Sequence, residues 1–183
     1  MIWGNEFVEL SKTIHERNSF DCGKEELNNF LQTRAAKHMG ARVSRTFLLP
    51  SKDNLPNGKT SICAFYTITG ATIERSTLPR SLAKKLPHYP VPVLLIGQLA
   101  VHTSCAGQGL GKIILIEALK RLALINEHMP AYAVFVDCLD NDAEGFYQKY
   151  GFVELCRNDG RARMYLPIMY LPMRTVLELF QDN

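Results

Sequence analysis

The stretch that decides the fold is Gly107-Gln108-Gly109-Leu110-Gly111-Lys112. It follows a nearly unbroken apolar run, Val93 to Val101, and leads directly into the apolar-rich segment from Ile113 to Leu119. This order predicts a strand, a glycine loop and a helix. Alternating glycines let the backbone turn tightly and direct several N–H groups to one side. The helix adds its own unpaired N–H groups and the positive end of its dipole, so such a loop binds phosphate or pyrophosphate.

Two common phosphate loops do not fit this stretch. A Walker loop requires a glycine where Ala106 stands and a Ser or Thr where Ile113 follows Lys112. A GxGxxG dinucleotide loop requires a third glycine, but Lys112 or Ile114 occupies its place. The pattern that remains is that of acyl-coenzyme A loops. A glycine-rich turn that binds no ligand is the alternative.

Length and composition favour one soluble globular domain. Of 183 residues, 46% are apolar and 21% are charged, as in a domain with a substantial core. We therefore expect a single domain over residues 1–183. The N-terminal sequence lacks the basic and apolar regions of a signal peptide. No stretch is apolar for long enough to span a bilayer, so the sequence predicts a cytoplasmic protein that contacts no membrane.

Cysteine usage excludes two further classes of protein. The five cysteines are scattered, and none forms a CxxC pair. An odd, dispersed set argues against a disulfide framework and against a zinc site. We therefore predict no bound metal. The cysteines are Cys22, Cys63, Cys105, Cys138 and Cys156.

Basic residues are grouped along the chain although the net charge is only +3. Two groups contain no acid, one from Arg34 to Arg45 and one from Arg75 to Lys85, and a cluster of five acids lies between Asp137 and Glu154. Such segregation can build a basic surface for a polyanion; separate solvated faces are the alternative. A third group comprises Arg157, Arg161, Arg163 and Arg174. The candidate substrate-binding residues are Arg34, Lys37, Arg42, Arg45, Lys84 and Lys85.

Periodicity predicts alternating strands and helices. A helical apolar stripe indicates a helix over residues 24–39 with Asp21 as its N-cap; the stripe comprises Leu27, Phe30, Leu31, Ala35 and Met39. Further helices are predicted over 110–126 and 142–149, with a short helix or irregular crossing over 78–89. Strands are predicted over 7–10, 46–49, 61–69, 93–101, 131–138, from 151, and over 164–171, with a turn at 54–58. The fold class is therefore α/β (α+β) with a mixed sheet.

A second motif runs from Asp140 to Phe152. Together with Leu99-Ala100-Val101 and the glycine loop, it resembles the Gcn5-related N-acetyltransferase (GNAT) superfamily. The family's loop pattern is matched at Gly109 and Gly111, with Ala106 in place of Arg or Gln. The resemblance implies a single GNAT-like domain whose central sheet is mixed, mostly antiparallel and flanked by helices. The family's later pattern has Asp140 in place of Asn and is matched at Ala143, Phe146, Tyr147, Gly151 and Phe152.

A narrower resemblance concerns the segment from Phe20 to Leu31. It is similar to the opening of the acetyltransferase toxins of toxin–antitoxin modules, of the TacT, AtaT and KacT type. Pro90 and Pro92 before the central strand, and the ending Leu171 to Thr175, also fit that group. This resemblance implies acetylation of the α-amine of aminoacyl-tRNA, which blocks translation. It also implies a ribbon-helix-helix antitoxin as partner and allows a homodimer.

The resemblance assigns roles to individual residues. Tyr147 matches the family's catalytic tyrosine, a general acid for the coenzyme A thiolate, and packing of Tyr147 on the sheet is the alternative. A backbone N–H near Val101 would polarise the thioester carbonyl. Ala106 and Asp140 weaken side-chain contacts to acetyl-CoA and leave the backbone cradle unchanged. The implied cofactor-binding residues are Leu99, Ala100, Val101, Ala106, Gly107, Gln108, Gly109, Leu110, Gly111, Lys112, Asn141 and Phe146.

No strong general base is apparent. Gln98 cannot remove a proton, and a histidine at a strand end, such as His102, is typically a loop hydrogen-bond partner. A free α-amine titrates near ~7.7–8.0 and a lysine near ~10.4, so an α-amine acceptor needs less help from a base. Two other functions stay open: a metabolic or resistance N-acetyltransferase acting on a small amine, and a coenzyme A-binding regulator without catalysis.

Overall fold

The computed structural model describes residues 2–167 of the chain. Its strands are β1 (Val8–Glu9), β2 (His15–Glu16), β3 (Arg45–Asn54), β4 (Thr60–Ile73), β5 (Val91–Val101), β6 (Ala133–Asp137), β7 (Val153–Asn158) and β8 (Arg161–Pro167). They form an eight-stranded sheet in the order β1-β3-β4-β5-β6-β8-β7, and β2 pairs with β4.

The sheet is mixed, and most of its pairings are antiparallel. The antiparallel pairs are β1/β3, β3/β4, β6/β8 and β7/β8, whereas β2/β4 and β5/β6 are parallel. The predicted mixed sheet is thus confirmed. Sequence analysis missed β2, because two residues are too few to show alternation. The β5/β6 register runs from Leu94↔Val134 to Ile96↔Val136, and β5 continues beyond it to Val101.

The helices are short apart from one. They are α1 (Glu25–Asn29), α2 (Ala35–Gly40), α3 (Arg80–Ala83), α4 (Leu110–His128) and α5 (Asn141–Gln148). A π-helical turn spans Phe30–Arg34, and 3₁₀ turns span Arg75–Thr77 and Thr103–Cys105. The predicted helices over 110–126 and 142–149 are confirmed as α4 and α5 within two residues at each end, and the predicted turn at 54–58 separates β3 from β4.

The helix predicted as continuous over residues 24–39 is divided by the π-helical turn. Arg17 explains the interruption, because its Nη1 donates to the carbonyl of Gln32 at 2.6 Å and to that of Leu31 at 3.4 Å. Such side-chain donors compete with the regular helical pattern. The predicted N-cap is also wrong: Lys24 precedes α1 without a side-chain cap, and Asp21 instead accepts from the Gly23 N–H at 2.8 Å.

Residue contacts divide the described chain into two compact units. The first comprises the residues up to Thr69 together with Gly97–Ala118, and the second comprises Gly70–Ile96 and the residues from Leu119 onward. The prediction of one domain over residues 1–183 stays a prediction. The final strand predicted over 164–171 corresponds to β8, which ends at Pro167. Residues 168–171, Arg174 and the Leu171–Thr175 ending lie outside the described residues.

Each unit has its own buried core. In the first, the predicted stripe is confirmed: Phe30, Leu31 and Ala35 are buried, and Leu27 and Met39 pack beside them. The remaining buried members of that core are Leu10, Phe20, Leu48, Ile62, Phe65 and Ala100. One buried cluster of the second unit comprises Ile73, Leu78, Val91, Val93, Ala133 and Phe135.

Candidate active site

The glycine loop presents an open backbone at the start of α4. Gly107 and Gly109 have φ angles of +73° and +77°, a left-handed conformation that side chains rarely adopt. Among the described residues, no atom lies within 4 Å of the place where a Cβ would stand at either glycine. Gly107 to Gly109 are exposed, whereas Leu110 is buried and begins the helix. The loop is therefore accessible to a bulky anion, and the helix contributes the donors of its first turn.

Backbone hydrogen bonds hold the first two residues of the segment that precedes the loop. The His102 N–H donates to the carbonyl of Cys63 on β4 at 2.8 Å, and the Thr103 N–H donates to the carbonyl of Asp21 at 2.8 Å. His102 Nδ1 accepts from the Ser104 N–H at 3.1 Å and lies 2.9 Å from Ser104 Oγ. This ring nitrogen therefore caps the 3₁₀ turn, as expected of a loop hydrogen-bond partner.

The predicted pantetheine partner lies on the last residues of β5. Leu99 and Val101 are half-buried, and Ala100 is packed in the core of the first unit. All three lie beyond Ile96, which is the last residue of β5 that pairs with β6. Gly97 is the first residue past that register, and within the described part of the chain nothing lies within 4 Å of the place where its Cβ would stand. An extended ligand can therefore add to this strand as another strand would.

Tyr147 lies on α5 in the second unit and is only 7% exposed. Its ring contacts those of Phe146 and Phe152, with centroids 5.2 Å away in each case. Burial, and secondarily the nearby thiol of Cys138, raises the pKa of the Tyr147 phenol. A phenol in such surroundings keeps its proton at neutral pH, which suits a general acid and excludes a tyrosinate base.

The start and outer face of α5 are secured by charged side chains. Asp140 Oδ1 accepts from the Ala143 N–H at 3.0 Å and caps the helix; Asp and Asn are equally good in this role. Arg157 joins α5 to β7, because its Nη2 lies 2.7 Å from both Glu144 and Glu154. Sequence analysis missed the Asp140 cap, although Asp before a helix is a known signal. Two other implied cofactor residues lie on α5: Asn141 is exposed, and Phe146 is half-buried.

The basic residues differ in whether they form ion pairs with acids. Arg34, Lys37, Arg42, Lys84 and Lys85 belong to the two groups that contain no acid. Arg45 is exposed, but its Nη1 lies 3.0 Å from both carboxylate oxygens of Glu9. Two members of the third group are neutralised by acids that lie elsewhere in the chain or three residues away. Arg157 pairs with Glu144 and Glu154, and Arg163 makes a bidentate contact with Asp137 at 2.6 and 2.7 Å.

A pocket of about 450 Å³ is lined by residues of α3 and of the segments on either side of it, several of them basic. Arg75 is fixed at its rim, because Nε donates to the carbonyl of Ala83 and Nη1 donates to His88 Nδ1, both at 2.8 Å. Arg80 and Lys84 also line the pocket, together with the acidic side chain of Glu74. Sequence analysis assigned Lys84 and Lys85 to the substrate but missed Arg75, Arg80 and His88 as members of one pocket. The sequence around α3 is rich in proline, and sequence analysis did not predict the bend that brings these residues together.

Two classes of feature are not found in the part of the chain that the structure describes. No group of three or more His, Cys, Asp or Glu side chains is arranged to hold a metal ion among residues 2–167. No helix within the same residues is long and apolar enough to cross a bilayer. All five cysteines are free thiols.

Comparison with known families identifies the segment that carries the candidate site residues. Residues 68–154 match the family described as an acetyltransferase (GNAT) domain. This segment is a GNAT acetyltransferase domain. It includes the glycine loop, the end of β5, and Tyr147 on α5. The fold class, the family resemblance and the enzyme class predicted from sequence are thereby confirmed.

Two relatives match most of this chain. A tRNA-acetylating toxin of Mycobacterium tuberculosis is 28% identical over 134 residues, which cover 73% of this chain and 76% of the relative. A probable toxin TacT of Sinorhizobium fredii is 28% identical over 167 residues, covering 87% and 88%. These relatives agree with the narrower resemblance carried by the Phe20 to Leu31 opening.

Solved structures agree over nearly the whole length. AtaT complexed with acetyl-methionyl-tRNAfMet is 26% identical, with a TM-score of 0.79, and the match covers 92% of this chain and 98% of AtaT. AtaTR bound with acetyl-CoA is also 26% identical, with a TM-score of 0.77 and coverage of 96% and 98%. Similarity therefore extends beyond the GNAT segment to the N-terminal helices.

Proposed function

We propose that this GNAT protein transfers the acetyl group of acetyl-CoA to the α-amine of aminoacyl-tRNA and so blocks translation. The similarity to AtaT complexed with acetyl-methionyl-tRNAfMet, over 92% of this chain, carries the proposal. The tRNA-acetylating relative supports the same reaction. Because aminoacyl-tRNA and acetyl-CoA are cytoplasmic, we place the protein in the cytoplasm.

We assign a chemical role to each site residue from the family resemblance, and its surroundings support that role. The loop from Ala106 to Lys112 would bind the pyrophosphate through backbone N–H groups and the start of α4. The end of β5, Leu99 to Val101, would pair with the pantetheine, and the N–H near Val101 would polarise the thioester carbonyl. From the family resemblance, Asn141 and Phe146 are also proposed as coenzyme-binding residues.

Acetyl transfer forms one bond and breaks another. The neutral α-amine attacks the thioester carbonyl, a C–N bond forms, and the C–S bond breaks. The buried phenol of Tyr147 donates its proton to the departing thiolate. The proton lost by the amine passes to solvent, since an α-amine near pKa ~8 needs no strong base. The Tyr147 phenolate regains a proton from solvent, which restores the acid for the next cycle.

The tRNA contacts are assigned to the first two basic groups, because Arg157 and Arg163 of the third group are paired with acids. Phosphate recognition needs cations that are available to the ligand, and the pocket lined by α3 offers Arg75, Arg80, Lys84 and His88. Lys85 follows Lys84 in the chain and has the same assignment. Arg34, Lys37 and Arg42 form a second group with the same assignment. Arg45 is expected to contribute less, because Glu9 already neutralises it. We further propose a ribbon-helix-helix antitoxin and a homodimer as the protein partners.

A direct test uses purified components. Charged tRNA is incubated with the protein and acetyl-CoA, the amino acid is released, and its mass is measured. An acetyl group on the α-amine is the expected product, and it should require acetyl-CoA. If the aminoacyl-tRNA stays unmodified while a small amine is acetylated under the same conditions, the tRNA assignment is wrong and the enzyme is a small-amine acetyltransferase.

A further inference from the structure

In the N-terminal motif from Phe20 to Leu31, one side chain on the helix holds the turn that precedes the helix. Asn28, on α1, donates from Nδ2 to Asp21 Oδ1 at 2.8 Å. Its Oδ1 accepts from the Cys22 N–H at 2.9 Å and from the Cys22 thiol at 3.1 Å. Asp21 Oδ1 also accepts from the Gly23 N–H at 2.8 Å, and Gly23 has a φ of +76°. One amide therefore holds the turn from Asp21 to Gly23 through both of its polar atoms.

The same turn touches the segment that leads into the glycine loop. The Asp21 carbonyl accepts from the Thr103 N–H at 2.8 Å. Next to this bond, the rings of Phe20 and His102 meet edge to face with centroids 5.6 Å apart. Thr103 begins the 3₁₀ turn that ends at Cys105, and its carbonyl accepts from the Ala106 N–H at 3.1 Å. Gly107 is the next residue, so the anchored segment leads directly into the loop.

The loop itself lies in open surroundings. Residues from Gly107 to Gly109 are exposed, and the two left-handed glycines have no described atom within 4 Å of a Cβ position. A loop of this kind loses conformational freedom when it closes on a pyrophosphate, and that loss weakens binding. Anchoring the residues that lead into it reduces the loss.

We infer that Asn28 is a positioning residue for coenzyme A. It holds the turn from Asp21 to Gly23, the turn fixes Thr103, and Thr103 fixes the start of the glycine loop. The hydrogen bonds of the Asn28 amide go to the turn and not to the loop, so its influence on the cofactor is indirect. This inference rests on the proposed use of the loop for coenzyme A. It gives the Phe20 to Leu31 motif a role in cofactor binding.

A purely structural role for Asn28 makes a different prediction. The helical segment is attached to the core of its unit by buried Phe30, Leu31 and Ala35, none of which depends on the Asn28 amide. Removal of that amide should therefore leave the helix in place. If Asn28 only stabilised the fold, its loss would lower the melting temperature without changing coenzyme affinity in the folded protein.

The test compares Asn28→Ala with Asn29→Ala. Asn29 is the adjacent residue of the same type, and its Oδ1 accepts from Thr33 Oγ1 at 3.1 Å within the same helical segment. For Asn28→Ala we expect the Kd of coenzyme A by calorimetry and the KM for acetyl-CoA to rise roughly tenfold, as for loss of about one to two hydrogen bonds. The kcat at saturating acetyl-CoA should stay within about twofold. Asn29→Ala should match the wild type in all three measurements.

A second variant covers the case in which Asn28→Ala does not fold. Asn28→Asp keeps the shape and the acceptor for Cys22 but places a carboxylate against Asp21, so coenzyme affinity should fall. Adding Asp21→Asn restores a donor between the two side chains and should recover part of that affinity. Unchanged affinity in folded Asn28→Asp, or no recovery in the double variant, would overturn the inference. Failure of the wild-type protein to bind coenzyme A would instead refute the proposed function.

Discussion

At the scale of single residues, Tyr147 shows how burial selects a chemical role. The family pattern points to this position, but only its surroundings determine its protonation state. Two aromatic neighbours and an exposure of 7% favour the neutral phenol. A neutral phenol can give up a proton to a thiolate, so the packing interpretation and the catalytic one are compatible here.

Replacement of Tyr147 should separate binding from catalysis. Tyr147→Phe keeps the ring and its contacts, so coenzyme A should bind with unchanged Kd by calorimetry. The rate of acetyl transfer to aminoacyl-tRNA should fall by roughly 10²–10⁴-fold, as for loss of a general acid. Tyr150→Phe, which removes a hydroxyl just after the end of α5, is the control and should retain its rate. A full rate in Tyr147→Phe would reduce this tyrosine to a packing residue.

The raised pKa of Tyr147 also predicts a pH profile. An ordinary tyrosine loses its proton near pH ~10, and burial moves this pKa upward. The acid form, and the stability that accompanies it, is therefore complete below pH ~10 and lost only as pH rises above that value. We expect kcat to show no alkaline decline up to pH ~9.5, since the phenol is still protonated there. A decline at lower pH that disappears in Tyr147→Phe would contradict this assignment.

At the scale of elements, the glycine loop combines backbone conformation with open space. Gly109→Glu introduces a side chain where the pyrophosphate is expected, and calorimetry should detect no binding of acetyl-CoA. Gly58→Glu is a matched control, because Gly58 has a φ of +76° and no described atom within 4 Å of its Cβ position. Both variants should lose about 1–2 kcal/mol of stability from the left-handed backbone. Equal coenzyme affinity in the two folded variants would exclude the loop as the pyrophosphate site.

The segment around α3 makes a separate prediction about tRNA. Phosphate contacts release counterions, so binding weakens as salt is added. Arg80→Ala with Lys84→Ala should weaken tRNA binding and reduce the salt slope by roughly one for each phosphate that is no longer neutralised. Charge removal at Arg34, Lys37 and Arg42 should act in the same direction. Coenzyme affinity should stay unchanged in both.

Lys52→Ala is the control for these charge changes, since Lys52 is exposed on β3 and belongs to neither basic group. Arg45→Ala should weaken binding less than loss of Lys37, because Arg45 is already held in an ion pair with the Glu9 carboxylate. Filter binding or fluorescence anisotropy at several salt concentrations measures each slope. If all of these variants bind tRNA like the wild type, the basic groups are only solvated faces.

At the scale of the whole molecule, the proposed reaction predicts toxicity. Expression of this chain alone in a bacterium should arrest growth, and Tyr147→Phe should relieve the arrest. A cell-free translation reaction should stop only when both the protein and acetyl-CoA are present. Co-expression of a ribbon-helix-helix antitoxin, if one is encoded beside the gene, should restore growth. Continued translation with active protein and acetyl-CoA would refute the toxin function.

Much of the architecture was predictable because it depends on local pattern. The apolar run from Val93 to Val101 is long enough to mark a central strand, and the spacing of Phe30, Leu31 and Ala35 marks a buried helix face. The predictions that failed also have physical reasons. Arg17 interrupts that helix from outside it, 15 residues before Gln32, and two-residue strands such as β2 carry no periodic signal.

The sequence by itself determined the order of elements, the glycine loop, and the position of Tyr147, since each depends on residues near one another in the chain. Tertiary structure alone decided which charges are neutralised and which turn supports the loop. Arg163 meets Asp137 across a strand pair, and Arg45 meets Glu9, so grouping along the chain did not predict which cations are available to a ligand. Asn28 likewise reaches the loop only through Asp21 and Thr103. Contacts between distant residues depend on chain folding in three dimensions, and no local spacing rule encodes them.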